Sequence, residues 1–149
     1  MRARPLSNDN QIASMKRIWP GLSRRGQRQG RVKWVGNVRP QFQTYRIEIT
    51  HQMLELPEVR VLTPALTRLP DNEEGALPHV YPPATDPTLC LYDPANDEWD
   101  HSMLISKTIV PWTLDWLACY ELWLMTGRWT GGGRHPESTP TEELEAQNP

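Results

Sequence analysis

Seven prolines fall within the 37 residues from Pro64 to Asp100: Pro64, Pro70, Pro78, Pro82, Pro83, Pro87 and Pro94. Each fixes φ and removes an amide donor, so a run this dense can be neither a sheet interior nor a helix. It must be a long coil. Large apolar residues are nevertheless threaded through it, among them Val80, Tyr81, Leu89, Leu91, Tyr92 and Trp99. A solvated linker carries few such side chains, so the sequence predicts a coil packed down on a core. Long ordered coils in compact domains tend to be functional. This one carries Cys90, and proline-stiffened backbone is expected to hold that thiol outside regular structure and open to solvent, as a reactive cysteine requires.

The segments on either side of the coil are regular. Behind it, Ile109 to Thr126 reads as a helix. Pro111 suits a first turn, and Gly127 is the expected stop. Ile109, Trp112, Trp116, Leu117, Tyr120, Trp123 and Leu124 form a wide apolar stripe at helical spacing, so the tryptophans are read as core and not as a ligand box. Ahead of the coil the period is two. Val32 and Trp34 alternate with Lys33, and Tyr45, Ile47 and Ile49 alternate with Arg46, Glu48 and Thr50. Val59 and Val61 alternate with Glu58 and Arg60. These three runs predict an antiparallel meander with one packed and one wet face. Residues 5–19 predict a short amphipathic helix capped by Ser7 or Asn8, with Ile12, Met15, Ile18 and Trp19 on one face and Pro20-Gly21 as its end.

A chain of 149 residues supports one core, taken as residues 1–135, followed by a flexible acidic tail at 136–149. The charge is uneven. Residues 1–33 hold nine Lys or Arg against Asp9 alone, and the last thirteen residues hold four glutamates. Basic residues 1–33 lack the interleaved aromatics of a nucleic-acid surface and read as a solvated helix and loop, so no nucleic acid is expected. Asp115 and Glu121 interrupt the longest apolar stretch, which is therefore a buried helix and not a membrane span. The polar start has no apolar signal region, and two cysteines, Cys90 and Cys119, fit reduced thiols in a bacterial cytoplasm. A disulfide between them is the lesser expectation. Cys119, on the core helix, reads as a small buried apolar residue.

Several chemistries lack their residues. His79, Cys90, His101 and His135 do not have zinc spacing, and Gly131-Gly132-Gly133 is not followed by the Lys-Ser/Thr of a phosphate loop. No adenylation site and no cofactor motif is visible. No orienting Asn or Asp has the spacing of a Cys-His peptidase.

The order helix, meander, cysteine-bearing coil, core helix resembles the α+β fold of ubiquitin-conjugating enzymes. In that family a four-stranded meander precedes an irregular segment with the catalytic cysteine, and a central helix packs on the sheet. His79 stands eleven residues before Cys90, Leu91-Tyr92-Asp93-Pro94 follows it, and Trp99 comes nine residues later. Over about residues 20–135 the chain is more closely similar to a prokaryotic subgroup of these enzymes from anti-phage CBASS operons. The similarity lies in Trp34-Val-Gly-Asn-Val-Arg-Pro40, Val59-Arg-Val-Leu-Thr-Pro64, Leu89-Cys-Leu-Tyr-Asp-Pro94, Ile109-Val-Pro-Trp112 and Trp123-Leu-Met-Thr-Gly-Arg-Trp129. The resemblance implies that Cys90 carries an acyl group as a thioester. It also implies a cGAS-like nucleotidyltransferase as partner, whose C-terminus is passed to an amine. A separate activating enzyme would supply ATP-dependent activation if that is needed.

The chain departs from the family at its His-Pro-Asn motif, since His79 is followed by Val80 and Tyr81. His79 could donate to the oxyanion, deprotonate the attacking group or brace the loop. Tyr81, Tyr92 and Asp93 are weaker candidates. The rival function is a non-catalytic adaptor of the same fold that grips a partner's C-terminal tail.

Overall fold

Ser7 opens the first helix, α1 (Asn8–Ile18), with a reciprocal cap: its hydroxyl accepts from the Asn10 amide, and the Asn10 side chain accepts from the Ser7 amide. The computed structural model that shows this describes residues 4–130. The face α1 buries is not the one its apolar residues predict. Met15 is buried, but Ile12, Ile18 and Trp19 are only partly covered, and Gln11 and Ser14 lie inside instead. Gln11 Nε2 donates to the Met103 carbonyl and Gln11 Oε1 accepts from the Ile105 amide, both at 2.9 Å. The Ser14 and Ser106 hydroxyls meet at 2.6 Å, and Trp19 Nε1 donates to the Ser106 carbonyl. The irregular segment beneath α1 brings buried main-chain groups that need partners, and polar side chains supply them.

Four strands form an antiparallel meander in the order β1 (Ser23–Arg28), β2 (Arg31–Val38), β3 (Tyr45–Gln52), β4 (Glu58–Thr63). The last three are the runs with period two. The first is additional to them: Ser-Arg-Arg-Gly-Gln-Arg has no apolar alternation because it is a solvated edge, held by its ladder to β2. Much of the basic N-terminal charge therefore sits on a strand and not on a loop. Gln29 and Gly30, both at positive φ, make the two-residue turn that sets the Arg28–Arg31 pairing. Gly36, in β2, is held to its size, because a Cβ there would collide with the Gly21 carbonyl oxygen.

Helix α2 (Ile109–Thr126) matches its expected bounds, with Gly127 at φ 78° as the left-handed stop. Ile109, Leu117 and Trp123 are fully buried in one cluster with Val32, Trp34, Ile47, Ile49 and Val59 of the sheet. Each such side chain contributes about 1.5–3 kcal/mol through removal from water. Trp116 is buried, while Trp112 and Leu124 are partly covered at the margin. Glu121 is also inside. Its carboxylate accepts from the Phe42 and Gln43 amides and the Tyr45 hydroxyl, at 3.0–3.1 Å, and so fixes the β2–β3 connection. Burial, then the hydrogen bond to the Glu121 carboxylate, pushes the Tyr45 phenol far above its ordinary range. Among the described residues, no helix is long and apolar enough to cross a membrane.

The proline-rich coil is packed down, as its apolar residues require. Leu77, Leu89, Leu91, Tyr92 and Trp99 are all buried in the same cluster. A small hairpin interrupts it, β5 (Val80–Tyr81) with β6 (Thr88–Leu89), and short 3-10 turns follow at Pro94–Asn96 and Ile105–Lys107. The glycine run and the acidic tail expected at 136–149 lie outside the described residues.

Candidate functional site

Cys90 is the residue just past β6. The hairpin continues one step beyond its two strand pairs, because the Cys90 amide donates to the His79 carbonyl at 3.0 Å. The same carbonyl accepts from Trp116 Nε1 of α2 at 2.9 Å. His79 thereby ties the cysteine backbone to the core helix. It does so from a left-handed conformation, φ 60°, which turns the chain into β5. Its imidazole packs against Trp129 at 4.7 Å between ring centroids, and Trp129 in turn meets Trp116 edge-on. The structure thus pairs His79 and Cys90 through the main chain.

The expected exposure of Cys90 is not found: the residue is 2% exposed. The prolines do keep it out of regular structure, but Thr88, Leu89, Leu91 and Tyr92 are buried around it, so the segment carries its thiol into the core. Cys119 departs from expectation in the other direction and is only partly buried on α2. Burial, with Asp115 nearby, pushes its thiol up. No disulfide joins the two.

The Cys90 thiol donates to the Tyr81 hydroxyl at 3.4 Å and, more weakly, to the Tyr92 carbonyl at 3.7 Å. Burial, then the thiol contact, holds the Tyr81 phenol far above its usual range, so the ring remains protonated at neutral pH. Tyr92 is pushed up to about 12 by burial and by Cys90. Its ring packs against Trp112 at 5.8 Å. Asp93 is occupied structurally: its carboxylate accepts from the Ala95 amide at 2.9 Å and the Asn96 side chain at 2.6 Å, capping the Pro94–Asn96 turn.

Two features carry no clear signal in the sequence. The first is the anchor of the coil around Asn72. Its side chain donates to the Gly127 carbonyl at 2.6 Å and accepts from Trp123 Nε1 at 3.2 Å, while Glu74 accepts from the Trp129 amide at 2.8 Å. An Asn followed two residues later by an acid marks a turn, but not what the turn holds. The second is His51 on β3, 1% exposed beside Trp99 and His101, with neither ring nitrogen hydrogen-bonded among the described residues. Burial, then the neighbouring His101, lowers it to about 4. Among the described residues no group of three or more His, Cys, Asp or Glu is arranged to hold a metal ion.

A family model described as Type II CBASS E2 protein matches residues 11–136, most of the chain. No curated protein matches it.

Proposed function

The chain belongs to the type II CBASS E2 family, and from that premise we propose that Cys90 is an acyl carrier for a cGAS-like nucleotidyltransferase. The carboxyl terminus of that partner, activated by a separate enzyme, reaches Cys90 as a thioester. An amine of the acceptor then takes it, with regulation of anti-phage cyclic-oligonucleotide signalling as the consequence. In the first step the Cys90 sulfur bonds to the acyl carbon as the bond to the activating group breaks, and the thiol proton leaves to solvent. In the second the amine nitrogen bonds to that carbon, the C–S bond breaks and the sulfur recovers a proton. The donor arrives activated, so the thiol need only be placed well against its carbonyl.

The observation that carries this reading is the position of Cys90 at the end of a hairpin clamped to α2 through the His79 carbonyl. That clamp favours bracing as the role of His79, because its imidazole is engaged with Trp129. An acyl donor reaches a thiol 2% exposed only when side chains over it move. The same burial favours a second reading, the adaptor that grips a tail without using the thiol.

The test is intact mass under non-reducing conditions after co-expression with a cGAS-like nucleotidyltransferase. A thiol-labile adduct in wild type that is missing in Cys90→Ala is the expected result. Co-purification of the two proteins without any adduct would establish the adaptor instead.

A further inference from the structure

Tyr81 and Cys90 project from the same face of the β5–β6 hairpin. Tyr81 is paired with Thr88, and Cys90 lies two residues beyond Thr88, so the two side chains are diagonal neighbours. Their polar atoms are 3.4 Å apart. In that contact the thiol is the donor and the phenol oxygen the acceptor. Tyr81 is partly exposed, whereas Cys90 is buried, so the ring stands on the solvent side of the pair.

We propose that Tyr81 is a catalytic residue, whose hydroxyl donates to the acyl oxygen as the Cys90 thioester forms and breaks down. The proposal rests on the reading of Cys90 as an acyl carrier. Acylation replaces the thiol hydrogen by a carbonyl carbon, and the carbonyl oxygen is then two bonds from sulfur. A hydroxyl that touches the sulfur is within reach of that oxygen. When an incoming nucleophile attacks, the oxygen gains charge, and a fixed donor in a water-poor site stabilises that charge far more than bulk water would. The hydroxyl keeps its proton throughout, consistent with a phenol held above its ordinary range.

Two reactions of one thiol separate this role from simple packing. Transthiolation from a small glycyl thioester passes through an oxyanion; alkylation by iodoacetamide does not. Both are followed by intact mass in a Cys119→Ser background, with and without Tyr81→Phe. The substitution keeps the ring and removes only the hydroxyl. Acylation of Cys90 is expected to fall roughly 100-fold, the usual loss of one oxyanion donor, while alkylation stays equal or rises. Equal loss in both reactions, or no loss in acylation, would overturn the role of Tyr81 and leave Cys90 as carrier. An unfolded variant would not mimic the expected result, because exposing Cys90 accelerates both reactions. Failure of the parent protein to take up the glycyl group at all would overturn the carrier reading along with it.

Discussion

Helix α2 and the coil that precedes it pack into the same core, but they satisfy their backbones differently. The helix closes its own hydrogen bonds and only has to bury its stripe. The coil has little ladder, only the two pairs of β5 and β6 and the one bond that extends them, so its main chain is pinned point by point. Several pins are side chains of α2 and its ends. The Tyr120 hydroxyl accepts from the Thr67 amide at 2.6 Å, Trp116 Nε1 donates to the His79 carbonyl, and the Trp123 indole and Gly127 carbonyl hold Asn72. The aromatic residues of α2 therefore do two things. Their rings make the core, and their polar tips fix the coil that presents Cys90. A large ring with a polar edge suits both tasks at once.

If that division holds, truncating an α2 side chain without a polar tip must weaken everything together. Leu117→Ala, at a position 0% exposed, is expected to cost about 3–4 kcal/mol in urea unfolding. One cooperative transition should be seen by both far-ultraviolet circular dichroism and tryptophan fluorescence. Separate transitions would break the picture of a shared core.

The next largest effect lies on the seam between sheet and coil, where His51 of β3 faces Trp99 and His101. Its folded value of about 4 lies below the ordinary 6.5, so the unfolded chain binds the proton more readily between these values. Stability from this group is complete above pH 6.5, falls as the pH drops toward 4, and is constant below that. The loss amounts to at most about 3 kcal/mol. His51→Phe should flatten that part of the stability profile relative to wild type, and an unchanged slope would count against burial of a neutral His51.

Glu121→Ala removes the acceptor of three donors in and beside the β2–β3 connection. Phe42 and Gln43 are exposed residues and their amides can rehydrate, so the expected loss is about 2 kcal/mol. Hydrogen exchange should quicken first at those two amides. The smallest effect sharpens the comparison most. Trp116→Phe keeps a ring in the core but releases the His79 carbonyl, at about 1 kcal/mol. Amide exchange at Cys90 and its alkylation by iodoacetamide should rise while α2 stays protected.

The sequence made α2 legible to the residue, because one apolar stripe bounded by Pro111 and Gly127 admits a single reading. Strands β2 to β4 were legible for the same reason, through period two. Strand β1 was not, since an edge held by backbone pairing needs no apolar pattern. The buried face of α1 is not legible, because Gln11 and Ser14 are drawn inward to partner polar groups of the 103–106 segment, which composition does not reveal. At the site, the proline run located the coil and Cys90 within it. It could not tell whether the thiol faced water, because burial depends on what Leu89 and Leu91 pack against. The partnership of Tyr81 with Cys90 depends on a hairpin of two pairs, too short to leave a periodic signal.

In the proposed function the thiol of the pinned coil, and not that of the helix, carries the acyl group. Peptide mapping of the adduct formed with a co-expressed cGAS-like nucleotidyltransferase tests it most directly, using wild type and Cys90→Ser. An adduct on Cys90 cleaved by dithiothreitol is expected in wild type. In Cys90→Ser an oxyester at the same position is expected, resisting thiol and yielding to hydroxylamine. An adduct mapping to Cys119, or one equally thiol-labile in Cys90→Ser, would contradict it.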